Sequence, residues 1–395
     1  MKTLDDFNVA DKRVLVRVDY NVPLDDRFQV VDTMRIEVSK PTVEKVVSDG
    51  GHAILMSHLG RPKGIEKRFS LRHIAAEVAQ ILNVPVDFVP DAVGGEARAK
   101  AARLRKGRIL LLENLRFHKE EVQGDLHFAE QLAEWGDIYV NDAFATAHRA
   151  HASTAVVARF FPGRKAAGYA LEKEVKAIDQ VLKDGREPVT AIVGGAKVSS
   201  KIATVENILP RLDNLIVGGG MAFTFIEALG GRIGDSIHEA DKLAVARRIL
   251  NRAKKQGVAV SLPIDVVAAD RFADRAHTRV LDSDRIPTGW RGLDVGPKTS
   301  ARYKDVILRS RTILWNGPLG VFEFPNFAKG TMTLGSHIAQ ATQNGAFSLV
   351  GGGDSVAAIQ KLGLQNQLSC VSTGGGALLE SLAGKTLPGV AALEA

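Results

Sequence analysis

The sequence predicts an α/β protein of two domains, each a parallel β-sheet flanked by helices. Three observations carry that expectation. Short, continuously apolar runs recur along the whole chain, and continuous rather than alternating apolarity marks strands covered on both faces. Helical stretches separate several of these runs, as in DKLAVARRILNRAKKQG at 241–257, and strand–helix alternation implies parallel pairing with right-handed crossovers. The chain has 395 residues, more than one hydrophobic core ordinarily serves, so about ten strands divide into two sheets.

In order, the runs are RVLVRVD (13–19), HAILMSH (52–58), RILLLEN (108–114), IYVND (138–142), VTAIVGG (189–195), NLIVGG (214–219), VAVSLPID (258–265), TILWNGP (312–318), FSLVGGGD (347–354) and SCVSTGGG (369–376). Open parallel sheets bind ligands beyond the carboxyl ends of their strands, so the residues found there indicate the ligand. In the first half they are Asp19, Asn21, His58, Arg61, Glu113, Asn114, Arg116, Asn141 and Asp142. These cationic and hydrogen-bonding side chains suit a small, highly charged anion. In the second half they are Gly194, Gly195, Lys197, Gly218 to Gly220, Asp265, Asn316, Gly317, Gly351 to Gly353 with Asp354, and Thr373 to Gly376. Glycine turns bare backbone N–H groups and suit nucleotide phosphates. The expectation is one domain per substrate, 1–170 and 171–378. The stretch 169–185 carries Leu171, Val175, Ile178 and Leu182 on one stripe and ends at Gly185. It reads as a hinge helix joining the domains across a cleft.

Composition bounds the environment. The N-terminal segment lacks the basic-then-apolar layout of a signal peptide, and no apolar run approaches a membrane span. The single cysteine, Cys370, excludes an internal disulfide framework, fits a reducing compartment and reads as a small buried hydrophobe. Lysine and arginine number 52 against 45 acidic residues, a net charge of +7. That excess suits nucleic acid, a small polyanion or solubility alone, and does not choose among them.

AGKT at 383–386 is a decoy: Leu379 stands where a P-loop needs its first glycine, and the motif follows a helical pattern rather than a strand. No GxGxxG occurs, which weighs against a sugar-phosphate dehydrogenase. The triplets in GGGDS (351–355) and STGGGALLE (372–380) each end a strand and open a helix, and with 218–220 they indicate phosphate sites. Asp354 has two readings, a helix N-cap or a ligand of Mg²⁺. In AHRAH, His148 and His151 lack a cysteine or acidic partner at metal spacing. Arg35, Arg61, Arg116 and Arg149 together suit a ligand carrying both carboxylate and phosphate. In IVGGAKVSSKI (192–202) the i, i+4 spacing places Lys197 and Lys201 on one helix face. Glycine turns and cations without an evident general base point to phosphoryl transfer, in which positioning and charge stabilisation carry the rate. A non-enzymatic polyanion or nucleic-acid binder is the rival from another class. It predicts a basic stripe, whereas these arginines sit singly after strands.

The segments RVDYNVP, SHLGRP, ENLRFH, NDAFATAHRAHAS, GGAKVSSKI, NLIVGGGMAFTF, WNGPLGVFE, GGGDS and STGGGALLE resemble, in order, the signature segments of the phosphoglycerate kinase family. The resemblance runs from about residue 13 to the C-terminus, with Ser355 where many members carry threonine. It implies a monomeric, cytoplasmic enzyme with two Rossmann-like domains, whose C-terminal segment from about 379 to 395 returns to the first domain. The implied reaction is reversible transfer of the acyl phosphate of 1,3-bisphosphoglycerate to MgADP, with domain closure excluding water. Neither nucleic acid nor a membrane is an implied partner. Asp19, Asn21, Arg35, His58, Arg61, Arg116 and Arg149 would hold the triose. Lys197, Lys201, Gly218, Gly219, Asn316, Glu323, Gly351, Gly352, Gly353, Asp354 and Ser355 would hold the nucleotide, Glu323 at the ribose and Asp354 at the magnesium. Arg35, Lys197 and the amides at Gly352 and Gly374–Gly376, Gly375 among them, would stabilise the transferring phosphoryl group. Lys201 would meet the α-phosphate.

Overall fold

The structure, a computed structural model, describes residues 1–94 and 107–395. Its strands are β1 (Arg13–Arg17), β2 (His52–Met56), β3 (Val86–Val89), β4 (Ile109–Leu112), β5 (Ile138–Asn141), β6 (Lys165–Ala167), β7 (Val189–Val193), β8 (Asn214–Val217), β9 (Arg232–Ile233), β10 (Ala259–Ser261), β11 (Asp265–Ala269), β12 (Thr278–Asp282), β13 (Arg285–Ile286), β14 (Arg291–Val295), β15 (Thr312–Asn316), β16 (Phe347–Gly351) and β17 (Cys370–Val371). Two six-stranded sheets, β3-β4-β2-β1-β5-β6 and β10-β8-β7-β15-β16-β17, are parallel throughout. Each is flanked by helices, the predicted fold class.

The chain forms two compact units. Met1–Val175 with Thr386–Ala395 make the first, and Lys176–Lys385 the second. The C-terminal segment of the first unit is Thr386–Ala395. The helix Pro388–Glu394 docks on the first unit through Gly389 N–H, which donates to the Ala147 carbonyl at 2.8 Å. The helix Tyr169–Leu182 carries the chain from one unit to the other.

Apolar runs become strands because both faces are covered. Val14, Val16, Ala53, Leu55, Ile109, Leu111 and Val140 are all buried in the first core. Ile192, Ile216, Ile313, Trp315 and Val350 are buried in the second, against Leu334 and Ile338. Strand order reverses between β1 and β5 in one sheet and between β7 and β15 in the other, which fixes where ligands enter.

Sequence reasoning missed the antiparallel sheet β12-β11-β14 and the short pair β13-β9. It also read VAVSLPID as one strand. Pro263 has no N–H to give a ladder, and there the chain leaves β10 in the parallel sheet and re-enters as β11 in the antiparallel one. Asp265, expected at a ligand-facing strand end, is instead buried. Its carboxylate accepts from Lys298 N–H (3.0 Å), Thr299 N–H (2.7 Å) and the Thr299 hydroxyl (2.7 Å), capping the helix Pro297–Arg309. Among the described residues no helix is long and apolar enough to cross a membrane.

Asp142, at the end of β5, is a second buried carboxylate with a capping task. Its Oδ1 accepts from Ala170 N–H (2.8 Å) and Leu171 N–H (3.3 Å), while buried Oδ2 has no partner. Burial pushes its pKa up to about 7, against these hydrogen bonds and one from Thr42. The folded state therefore holds a proton that the unfolded chain, with a pKa of about 3.9, releases earlier. The stability from that proton is complete below about pH 4 and lost as pH rises through about 7. Asp142→Asn keeps the Oδ1 acceptor and buries no charge. Urea titrations from pH 4 to 8 are expected to show the variant gaining on wild type as pH rises, by roughly a few kcal/mol in all. A pH-independent difference would refute this.

Candidate active site

In the first unit, the site is built from loops leaving β1, β2 and β4. Asp19 pairs with the Arg35 guanidinium, and its Oδ1 accepts from Asn21 N–H at 3.3 Å. Asn21 Oδ1 in turn accepts from Gly60 N–H at 2.8 Å, and the Gly60 carbonyl accepts from Arg116 Nη1 at 2.6 Å. Asp19, Asn21, Arg35 and Arg116 thus form one linked cluster, with His58 Nδ1 3.9 Å from Asp19 Oδ1. Arg61, Arg116 and Arg149 line a cavity of about 620 Å³ together with Lys63 and Lys119.

Glu113 and Asn114 are not ligand-facing but brace these loops. Glu113 accepts from the Ser70 hydroxyl (2.6 Å) and Leu71 N–H (2.9 Å), and Asn114 donates to the Leu59 (2.7 Å) and Phe69 (2.8 Å) carbonyls. Crowded cations set the electrostatics. Burial and the neighbouring Arg17 and Arg149 push Arg116 down to about 10. Burial, then Arg116 and Arg17, push His151 down to about 4. Such a pocket favours a polyanion, which relieves the repulsion on binding.

In the second unit the site lies where β7 meets β15. Gly194 N–H donates to the Asn316 carbonyl (3.0 Å) and Gly195 N–H to the Pro318 carbonyl (2.9 Å), joining the two strand ends. Gly219, at φ +64°, lies against both: a Cβ there would sit 2.6 Å from Gly195 N and 2.8 Å from the Pro318 carbonyl oxygen. Lys201 Nζ donates to Asn316 Oδ1, and Asn316 Nδ2 to the Gly351 carbonyl at 2.8 Å. Burial lowers the Lys201 pKa, opposed by Asp354. Buried Ser355 accepts from Gly317 N–H at 2.7 Å. These bonds draw Lys201, Asn316, Gly351 to Gly353 and Ser355 into one cluster.

The helix Gly353–Leu362 starts at Gly352, and no side chain caps it. Asp354 is therefore not the N-cap: it lies in the first turn, exposed, and accepts no hydrogen bond from an amide among the described residues. One exposed carboxylate fits Mg²⁺ that keeps water and substrate phosphates as its other ligands. The helix Gly375–Leu382 likewise starts without a side-chain cap, at Gly374. A cavity of about 630 Å³ joins Gly195, Gly219, Pro318, Glu323 and Asp354 to an apolar wall of Phe223, Leu319 and Phe324. Gly218 packs against Leu319 beneath it.

The shared helix face expected for the two lysines does not form. The helix begins at Ile202, with Lys201 at its cap position, and Val198 to Lys201 form a turn closed by Lys201 N–H to the Val198 carbonyl (2.8 Å). Positive φ at Gly195 (+102°) directs the chain into this turn. Lys197 is left in the preceding loop, exposed, and its ammonium has no partner among the described residues.

One group escaped sequence reasoning. Arg17 sits inside the apolar run of β1 and is fully buried. An arginine within a continuously apolar strand was the available signal.

Two parallel-sheet units, one with a basic pocket and one with a glycine-walled cavity and uncapped helix start, define a phosphate-handling α/β protein. A family model described as phosphoglycerate kinase matches residues 4–385. A phosphoglycerate kinase of Porphyromonas gingivalis is 51% identical over 99% of this chain and 100% of its own length. A cytosolic phosphoglycerate kinase of Triticum aestivum is 47% identical over 99% of this chain and 98% of its own. The solved phosphoglycerate kinase of Coxiella burnetii superposes with a TM-score of 0.89 at 40% identity, covering 99% of this chain and 98% of that one. That of Pyrococcus horikoshii gives 0.85 at 32% identity, covering 100% and 98%. The chain belongs to the phosphoglycerate kinase family. Its activity is the reversible transfer of a phosphoryl group between 1,3-bisphosphoglycerate and ADP, giving 3-phosphoglycerate and ATP in glycolysis and gluconeogenesis. The family uses its nucleotide with magnesium.

Proposed function

We propose that the two substrates divide between the units. Asp19, Asn21, Arg35, His58, Arg61, Arg116 and Arg149 hold the triose. Lys201, Gly218, Gly219, Asn316, Glu323, Gly351 to Asp354 and Ser355 hold the nucleotide, and Lys197 meets it only at the phosphoryl group being transferred. The observation that carries this division is the difference in kind: arginine side chains line one cavity, and glycine backbone, an apolar wall and carboxylates, Glu323 and Asp354 among them, line the other.

Bidentate arginines match the carboxylate and phosphate of the triose. The apolar wall accepts a base, and Glu323 at the cavity edge accepts the ribose hydroxyls. Asp354 supplies the protein's carboxylate to the magnesium that arrives with the nucleotide, which neutralises phosphate charge. The acceptor is an ionised phosphate one way and a carboxylate the other, so the reaction requires no general base. Arg35, Lys197 and the amides at Gly352 and Gly375 stabilise the charge spread over the moving phosphoryl oxygens. The reading requires that turnover bring Arg35 and Lys197 to one phosphoryl group with water excluded, since an acyl phosphate hydrolyses readily. The enzyme works as a monomer in the cytoplasm, a reading supported for the compartment by cytosolic relatives such as that of Triticum aestivum.

Calorimetric titration tests the division. Arg116→Ala is expected to weaken 3-phosphoglycerate binding about tenfold or more and leave ADP binding within about twofold. Glu323→Ala is expected to do the reverse. Both variants weakening the same ligand would overturn the assignment.

A further inference from the structure

We propose that Arg17 is a positioning residue: it locks His58 as a neutral imidazole whose only N–H, on Nε2, is presented to the triose phosphate. The inference rests on the reading of His58 as a triose contact and adds what holds the ring in one state.

The argument is one of donor and acceptor count. Arg17 Nη2 lies 3.1 Å from His58 Nδ1, both buried. A guanidinium has only donors, so Nδ1 must accept and the single ring proton sits on Nε2. The opposite tautomer would set two N–H groups against each other. Nε2 has no hydrogen-bond partner among the described residues, so its proton is left for a ligand oxygen.

Arg17 is itself fixed from behind. Its Nε donates to the Ser153 hydroxyl at 2.8 Å, and Nη1 donates to the Val18 carbonyl. The Ser153 hydroxyl donates to Glu121 Oε1 at 2.7 Å, and Ser153 N–H donates to Glu121 Oε2 at 2.9 Å. Glu121 is fully buried. The donors therefore run one way, from Arg17 to Ser153 to Glu121, and the buried carboxylate balances the buried guanidinium.

The surroundings of His58 agree. Arg17, Arg116, Arg35 and His151 all face it and oppose a second proton, as does its burial, and they hold its pKa well below the usual imidazole range. The Asp19 carboxylate lies 3.9 Å from Nδ1 and is paired to Arg35, too far to take Nδ1 from Arg17. A neutral donor serves here because it adds no charge to a pocket already crowded with arginines.

Imidazole ¹⁵N NMR on the full-length protein tests the proposal. Wild-type His58 is expected to show the Nε2–H tautomer and to stay neutral at pH values where an exposed imidazole has already taken up its second proton. In Arg17→Met the ring is expected to exchange tautomers and to titrate at higher pH than in wild type. The KM for 3-phosphoglycerate is expected to rise about tenfold with kcat less affected. If the single variant does not fold because Glu121 is left unpaired, Arg17→Met/Glu121→Gln buries no lone charge and serves for the same measurements. A wild-type Nδ1–H signature, or a His58 titration unchanged by losing Arg17, overturns the proposal. His58→Gln separates the two levels: an unchanged KM there would refute the triose contact while leaving the tautomer result to stand or fall by NMR.

Discussion

Lys197→Ala is expected to lower turnover by on the order of 10³-fold while leaving ADP affinity and thermal stability near wild type. The expectation follows from what Lys197 does not do in the fold. It lies in the loop after β7, is exposed, and its ammonium has no partner among the described residues, so its removal breaks no contact that holds the chain together. Lys201 differs: it is drawn down onto Asn316 and partly buried, with its pKa lowered by that burial. A committed cation binds the ground state, whereas an uncommitted one at the strand switch point is available to charge that develops only in transit. The predicted loss corresponds to about 4 kcal/mol of transition-state stabilisation. Stopped-flow turnover with calorimetric ADP binding checks it. A variant with weakened ADP binding and unchanged bound-state turnover would assign Lys197 to the ground state instead.

The two main sheets were legible because burial on both faces leaves an unbroken apolar run, as in VTAIVGG and TILWNGP. The strands that were missed lack that signature. Along β12 only Leu281 is even partly covered, while Thr278, Arg279, Val280 and Asp282 are exposed, so the apolar pair Val280–Leu281 is flanked by polar residues and makes no continuous apolar run. The short β6, Lys165–Ala167, carries a lysine and two alanines, and its burial comes from neighbours distant in sequence. Pro263 was the visible warning that VAVSLPID is two strands, because a missing N–H forbids a continuous ladder.

At the site, chemistry was more legible than geometry. Lone arginines and glycine triplets after strands named the kinds of group each cavity holds, since strand ends in parallel sheets face the ligand. The turn at Val198–Lys201 was not legible: i, i+4 spacing reads as a helix face, and only the bonds fixed by Gly195 and Asn316 show that the helix starts later. Arg17 and Glu121 stand 104 positions apart and became a pair only through Ser153, a relation no local pattern contains.

Gly219→Ala is expected to lower ADP affinity by roughly 10²-fold or more and to destabilise the second unit by about 2–4 kcal/mol. Two costs combine. The residue sits at φ +64°, which an alanine adopts only with strain of about 1 kcal/mol or more. A Cβ would also sit 2.6 Å and 2.7 Å from the backbone N and O of Gly195 and 2.8 Å from the Pro318 carbonyl oxygen. All three are main-chain atoms, so no rotamer change relieves the contact and the turn joining β7 and β15 must open. Gly230 supplies the control. It too has positive φ, +93°, but nothing lies within 4 Å of its Cβ position, so Gly230→Ala meets the conformational cost alone. Urea unfolding and ADP titration of both variants separate the effects, with 3-phosphoglycerate binding to the first unit expected to survive in each. Should Gly219→Ala cost no more stability and no more ADP affinity than Gly230→Ala, the close approach of glycine backbone would not be what builds the nucleotide site.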